Sequence, residues 1–496
     1  MKKVPNILFI MCDQLRFDAL GIHGNPIVRT PNFDRLARRG IDFSNAYSTC
    51  PVCIPARMTI RTGCEPARTG IYENEMPRPM DGQHPDMRRR CGPYLAEALR
   101  EQGYRTFGVG KFHHLPEGHE EIGYEDQVFA EETMLGLWQG DHYAEWIRRE
   151  HSEFDFIEQL NGERTEMYYM PQTSPLPAEL TSESYVADRA LELMSQPDPR
   201  PWFGFVSFVG PHPPCAPPVP YNRMYNPDII SNPVKGDLET DQMDEQIRFM
   251  NYAIWADEIN DFGARSVKAR YYGEISYIDH CLGRILDAVD RRPDKEETVI
   301  LFCSDHGDHL GDHHAWQKES YFEQSCHIPL FLSWPERLPA GEINRDLVCH
   351  ADLFGLLTAA AGQQEERDGA DLWGQLFENA RPRQELFAVY GRPGTPLFKC
   401  MVRKGAYKYI YFSNGGKEQL FQLDHDSQEL ENLAKKEPDR CAELRAIAAA
   451  YCQRDGLRAA LDEGGEVLAH PETARPLVRI HQFGIPENDF TVTRNR

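Results

Sequence analysis

Cys53 lies in Ser48-Thr-Cys-Pro-Val-Cys-Ile-Pro-Ala-Arg-Met-Thr-Ile-Arg-Thr-Gly63, with Pro55 and Arg57 close behind it. Proline is favoured at the first position of a helix, where its missing N–H costs nothing. Cys53 is therefore expected at or just before a helix N-terminus, where unpaired N–H groups and the positive end of the helix dipole favour an anion. A thiol there is expected to be more acidic than a free one. Further stretches carry ionisable groups: Asp13-Gln14, Lys111-Phe-His-His114, His212, and Asp305-His306 with Lys318 a few residues on. Asp13, Asp305 and Gln14 offer oxygen to a hard divalent cation. His306 adds nitrogen, which shifts the preference toward Mg²⁺ or Mn²⁺. Taken singly, each residue has an ordinary explanation: Asp13 as a helix cap, Asp305-His306-Gly307 as turn chemistry, the lysines as solvated charges.

The elements that must position these groups are legible as apolar runs. Ile7–Met11, Tyr104–Val109, Trp202–Val209 and Thr298–Cys303 read as strands buried on both faces, and each runs into one of the ionisable clusters. Helical patterns alternate with them: Asn32–Arg39 behind Thr30-Pro31, Tyr94–Gln102 before Gly103, and Ala269–Val289 with its apolar stripe. The alternation predicts an α/β fold with a large, mainly parallel sheet flanked by helices. Ligands of such sheets bind outside the carboxyl ends of the strands, so four clusters at strand ends predict one shared site. Residues 116–195 and 215–265 read as irregular insertions. From about residue 385, short strands at Phe387–Tyr390, Phe398–Arg403, Tyr407–Phe412 and Leu420–Leu423 predict a small antiparallel sheet, followed by a helix over Leu433–Tyr451 and an extended tail after Gly465. The expected division is a catalytic domain over 1–384 and a C-terminal subdomain over 385–496.

A net charge of -23 argues against nucleic acid or an anionic membrane surface as partner. No run of about 18 apolar residues spans a membrane. The run Ile7–Met11 is too short for a signal peptide and is followed at once by Asp13 and Arg16. The 13 cysteines read as reduced thiols, most of them core fillers such as Cys281 and Cys303, in a cytoplasmic protein.

With these residues on the page, the chain resembles the type I sulfatase family of the alkaline phosphatase superfamily. Cys53-x-Pro55-x-Arg57 with Thr62-Gly63 matches the signature in which the cysteine is oxidised to formylglycine. Asn6–Asp13, Thr30–Ala37, Gly110–His113, Pro211-His212, Ser304–Gly311, His350–Leu353, Tyr407–Tyr409 and Leu420–Asp424 match in the family's order. Three positions depart. Ile54 replaces a small residue, while Gln14 and His306 replace the Asp and Asn of many members. The Asp-Gln and Asp-His pairing also resembles choline sulfatases and phosphonate monoester hydrolases. The resemblance implies an alkaline phosphatase-like fold and hydrolysis of a sulfate monoester, expected to be a small carbohydrate sulfate. It implies catalytic roles for Cys53, Arg57, Lys111, His113, His212 and Lys318. It implies one divalent metal ion, calcium by family habit, held by Asp13, Gln14, Cys53, Asp305 and His306. A formylglycine-generating enzyme is the implied partner, and the tail is open to packing on a second copy. His114, His313, His314, Trp316 and Arg392 are candidate substrate contacts, with Trp138, His142 and Tyr143 as further loop candidates. The alternatives are a phosphonate monoester or phosphodiester hydrolase, a choline- or aryl-sulfatase, and a binding protein that keeps the fold without the modification.

Overall fold

In the computed structural model, which describes residues 4–74, 86–113, 122–131, 140–157 and 168–479, the first apolar run forms strand β1 (Ile7–Asp13), buried along its whole length. Its side chains alternate between two cores. Leu8, Ile10 and Cys12 join one cluster, and Ile7, Phe9 and Met11 join the other. That is the signature of a strand covered on both faces.

The remaining strands of this sheet are β2 (Ile41–Phe43), β3 (Arg105–Gly110), β4 (Asp126–Phe129), β5 (Trp202–Pro211), β6 (Val299–Ser304), β7 (Leu330–Ser333) and β8 (Glu342–Asn344). The eight strands lie in the order β4-β3-β5-β1-β6-β7-β2-β8. All neighbours are parallel except β7, which runs antiparallel to β6 and β2. The sequence pointed to the four central strands β3, β5, β1 and β6. It did not single out β2, β4, β7 or β8, which are only three or four residues long.

Helix α1 (Pro31–Arg38) starts at Thr30, yet the Thr30 hydroxyl does not cap it. It accepts from the Gly21 N–H and donates to Asp34 instead. The long helix α2 (Asp261–Asp290) lays Ile275, Ile278, Leu282 and Ile285 on the Leu8 face. The stretch expected to be irregular holds a further core helix, α3 (Ser182–Ser195), whose Val186 and Ala190 pack on that same face. Its apolar positions are diluted by Ser and Glu, which hid the period. The helix carrying the cysteine signature, α4 (Cys53–Thr62), covers the opposite face through Ile54 and Met58.

A second sheet, β9 (Glu385–Tyr390), β10 (Lys399–Lys404), β11 (Tyr407–Phe412) and β12 (Lys417–Gln422), is an antiparallel meander backed by α5 (Pro438–Arg454). Its other face shares a core with the large domain, where Leu386, Met401 and Phe421 meet Tyr47, Tyr321 and Phe322. Among the described residues no helix is long and apolar enough to cross a membrane.

Candidate active site

Adjacent parallel strands bring the ionisable clusters to one edge of the sheet. Asp13 ends β1, Lys111 follows β3, His212 follows β5 and Asp305 follows β6. The β1–β5 register slips between Cys12 and Asp13, placing Asp13 opposite Pro211. An irregularity of this kind re-aims a side chain. At Gly110, φ is +104°, and a Cβ there would lie 1.9 Å from the Ser207 carbonyl oxygen. Only glycine allows that approach, and with it the placement of Lys111.

Cys53 is the first residue of α4, as expected. Its Sγ lies 3.2 Å from His306 Nε2 and 3.8 Å from Asp13 Oδ1. One turn along α4, the fully buried Arg57 gathers the strand ends. Its Nε donates to Asp305 Oδ2 at 2.9 Å and its Nη2 to Asp13 Oδ2 at 3.0 Å. Its Nη1 donates to the Lys111 carbonyl at 2.6 Å and the Ser207 hydroxyl at 3.1 Å. Lys111 Nζ pairs with Asp13 Oδ2 at 2.5 Å.

The thiol is not made more acidic by this position. Burial raises its pKa, Asp13 adds to the rise, and together they outweigh Lys318 and Lys111. Removal from water penalises the thiolate. Burial also pushes Asp13 up, but Lys111 and Arg57 outweigh it and hold the carboxyl well below its usual range.

Asp13, Cys53, Asp305 and His306 each offer a ligand atom, and all four atoms lie within 4.8 Å of one another. The tautomer of His306 tests whether they suit a cation. Its Nδ1 lies 3.0 Å from the Gly307 carbonyl, which can only accept, so the ring proton sits there. Nε2 then turns a lone pair toward Asp13 Oδ1 at 3.8 Å and Asp305 Oδ1 at 3.6 Å. Burial keeps His306 neutral by lowering its pKa. A ring nitrogen and two carboxylates converging on the Cys53 sulfur in a dry site fit a bound cation, and the oxygen–nitrogen donor set suits a hard divalent ion.

Gln14, in a left-handed conformation at φ 66°, joins that cluster through its backbone N–H, which donates to Asp305 Oδ1 at 3.0 Å, and both ends of its amide are engaged. Its Oε1 accepts from Lys318 Nζ at 2.6 Å. Its Nε2 donates to Asp308 Oδ2 at 2.5 Å and to the Tyr169 hydroxyl at 3.0 Å. Burial would depress Lys318, yet Cys53, Tyr168 and Asp13, in that order, hold it above the usual lysine value. Two lysines and an arginine thus face two carboxylates within the cluster, a balance that favours an anionic ligand.

His113 is held by its backbone N–H, which donates to both oxygens of Glu131 at 3.0 and 3.1 Å. Its Nδ1 is buried without a hydrogen-bond partner. Burial, aided by Lys111 and Arg57, keeps its pKa well below the usual value. His212 places Nδ1 2.8 Å from the Pro213 carbonyl and Nε2 3.0 Å from the Tyr168 hydroxyl.

The proposed substrate contacts are less convergent. His114 and Trp138 lie outside the described residues. His313 pairs with Asp241 at 2.9 Å and stacks on Phe322. The carbonyl of His314 and the N–H of Trp316 are both held by the Asn251 amide. The Trp316 ring lies 4.7 Å from that of Tyr169. His142 Nδ1 accepts from the Phe129 N–H and its ring stacks on Phe129, while the buried Tyr143 donates to the Leu180 carbonyl. Arg392 is exposed on the C-terminal subdomain.

Sequence reasoning missed Ser207, Glu131, Tyr168, Tyr169 and Asp308. Asp308 stood in a visible run after Asp305. Ser207 looked like any residue of a buried strand. Glu131 and the two tyrosines came from a stretch without periodicity and gave no signal.

Comparison with known proteins accords with this geometry. The family model described as "Sulfatase" matches residues 5–363, and that described as "N-sulphoglucosamine sulphohydrolase, C-terminal" matches residues 311–446. The chain is 30% identical over 462 residues to an arylsulfatase of Clostridium perfringens, covering 89% of this chain and 93% of the relative. It is 28% identical over 454 residues to a choline-sulfatase of Rhizobium meliloti, covering 87% and 82% of the two chains. Among solved structures, the phosphonate monoester hydrolase of Agrobacterium radiobacter matches with a TM-score of 0.71 at 25% identity, covering 94% of this chain and 100% of that one.

Proposed function

Because the chain belongs to the sulfatase family, whose members are sulfuric ester hydrolases, we propose that it cleaves a small carbohydrate sulfate to alcohol and inorganic sulfate, with Cys53 as the precursor of a formylglycine nucleophile. The observation that carries this reading is the meeting of Cys53 with Asp13, Asp305 and His306 beneath Arg57, Lys111 and Lys318. The family description matched over residues 311–446 supports a sulfated sugar.

Formylglycine, as its hydrate, offers two hydroxyls on one carbon, one to attack sulfur and the other to expel sulfate afterwards. Asp13, Asp305 and His306 would hold a divalent ion, with Gln14 Oε1 beside them under Lys318; calcium is the first candidate and Mg²⁺ or Mn²⁺ the alternatives. Such an ion supplies Lewis acidity and lowers the pKa of a bound hydroxyl. Arg57 fixes both carboxylates, so their oxygens cannot swing apart. Lys111 and Lys318 place ammonium groups where the charge on the sulfuryl oxygens must be held. His113, kept neutral, accepts a proton at Nδ1 from the hydroxyl that remains after sulfur transfer. His212 lies at the end where the departing oxygen needs a proton.

A phosphonate monoester is the second reading, supported by the solved neighbour and by the same charge balance. A reducing compartment belongs to the proposal as well, supported by cysteines that are all buried and unbridged. The test combines mass and turnover. Active protein should contain a residue 53 about 18 Da lighter than cysteine, from exchange of the thiol for an aldehyde oxygen. Cys53→Ala should lose turnover while keeping the fold, because the residue contributes one small side chain to a site held together by Arg57. Full activity with unmodified cysteine refutes the nucleophile. A panel of sulfated mono- and disaccharides beside aryl phosphonates decides the substrate class.

A further inference from the structure

Two parallel strand ends meet beside the candidate ligands, β3 leading into Lys111, Phe112 and His113, and its neighbour β4 leading into Glu131. The Phe112 N–H donates to Glu131 Oε1 at 2.6 Å. The His113 N–H donates to Oε1 at 3.0 Å and to Oε2 at 3.1 Å. Successive backbone N–H groups that converge in a turn make a concavity suited to an anion. Here the chain supplies that anion itself. His113 has a φ of 47°. A left-handed conformation is costly for any residue but glycine and persists only where the surroundings enforce it.

The neighbours of His113 are fixed by other means. The buried Phe112 ring meets Phe129 at 5.2 Å, Tyr124 at 5.5 Å and Phe205 at 5.8 Å. The Lys111 N–H donates to the Ser207 carbonyl at 3.0 Å, and the Lys111 carbonyl accepts from Arg57. Glu131 is anchored in turn. Its N–H donates to Asp141 Oδ2 at 2.7 Å, and Asp141 Oδ1 caps the helix His142–Glu150 at the Ala144 N–H. Residue 113 is thus the hinge of this segment. Its Nδ1 is buried without a hydrogen-bond partner among the described residues, so that nitrogen does not hold the ring in place. The charges that act on the ring belong to Lys111, Arg57, Asp13 and Lys318, which places it in the site.

We propose that Glu131 is a positioning residue for the release of sulfate: seated on the Phe112 and His113 N–H groups, it keeps residue 113 left-handed and so holds the imidazole where it takes a proton. The inference rests on the ester-hydrolase reading above, in which His113 acts only after sulfur has been transferred. Glu131 acts through His113 and moves no proton itself. Without its carboxylate, two N–H groups lose their acceptor, residue 113 relaxes to negative φ, and the ring turns with the backbone. Sulfur transfer depends instead on Arg57, Lys111, Lys318 and His212, which stay where they are.

Half-reaction kinetics of the mature enzyme test this with para-nitrophenyl sulfate. Glu131→Ala should release about one nitrophenol per active site in a burst and then turn over about 10²-fold more slowly than wild type. Its kcat and KM should fall together, leaving kcat/KM within about threefold of wild type, because kcat/KM reports only the steps up to sulfur transfer. Protein quenched in acid during turnover should carry about 80 Da, one SO₃ group, on the peptide that holds residue 53. Glu131→Gln keeps one acceptor oxygen and should show the same burst with turnover about tenfold below wild type; it decides the matter if Glu131→Ala does not fold. Wild-type turnover in the deciding variant, a loss in kcat/KM as large as that in kcat, or slow turnover without the adduct overturns the proposal. His113→Ala should trap the same adduct. If it traps none while Glu131→Ala does, Glu131 acts by another route and the proposal falls with the hydrolase reading intact. Absence of wild-type turnover on both aryl sulfates and aryl phosphonates overturns the hydrolase reading and this role with it.

Discussion

Arg57 carries the architecture of the site at the scale of one residue. Its guanidinium spans Asp13 and Asp305 with two different nitrogens and spends a third on Lys111 and Ser207. A lysine has one nitrogen and no planar fork, so it cannot make those bonds together. Arg57→Lys is expected to leave a buried carboxylate poorly compensated and to lower unfolding free energy by about 3–5 kcal/mol, the usual cost of breaking a buried pair. Denaturant unfolding measures the loss, and turnover should fall with it because the candidate ligands lose their alignment. A variant as stable and active as wild type contradicts this account. The raised pKa of Cys53 belongs to the same scale. A thiol that stays protonated is a poor nucleophile.

Among elements, the loop after β6 matters most, because it carries Asp305, His306 and Lys318. It is tied down by Asp312, which pairs with Arg16 Nη1 at 2.7 Å and Lys268 Nζ at 2.9 Å. Those partners come from the segment after β1 and from α2 (Asp261–Asp290). Burial raises the Asp312 carboxyl, yet Arg16 and Lys268 outweigh it and bring its pKa to about 2. A depressed carboxyl adds stability that is fully present above its unfolded pKa and is lost as pH falls through the folded one. Wild-type stability should therefore decline as pH drops from about 4 toward 2, with about 2 kcal/mol of the decline due to this group. Asp312→Asn should be less stable at neutral pH and should show a flatter acid limb in denaturant titrations. An unchanged limb would mean that the network contributes nothing to holding the loop.

At the scale of the whole molecule, the C-terminal sheet acts as a wall behind the loop that follows β6. Lys408 of β11, fully buried, pairs with Glu323 at 2.5 Å and Glu429 at 2.8 Å and donates to the Tyr321 carbonyl. Lys399 of β10 pairs with Asp244 and donates to the Glu319 carbonyl, next to Lys318. Two lysines of one sheet thus grip the residues that follow Lys318. Lys408→Met should strand two buried carboxylates and destabilise the protein by about 3–5 kcal/mol. It should also raise KM more than it lowers kcat, because the wall shifts while α4 (Cys53–Thr62) does not. Equal effects on both constants would place the sheet's influence on chemistry instead.

The sequence by itself determined the elements whose signal is local. Mainly apolar runs specify β1, β3, β5 and β6 because a strand buried on both faces has few positions open to water, and the 3.6-residue stripe specifies α2. Strand ends with Asp13, Lys111, His212 and Asp305 predicted a shared site because parallel neighbours finish on one edge. Tertiary structure decided what depends on distance in space. It set the His306 tautomer, turned Gln14 Oε1 to Lys318, and placed Glu131 under His113 and Tyr168 against His212. It also reversed the expected acidity of Cys53, because the helix end is a property of sequence neighbours whereas desolvation belongs to everything packed around the thiol. Helix α3 (Ser182–Ser195) and the tyrosines went unread for one reason: their packing partners are remote in the chain, so no local period records them.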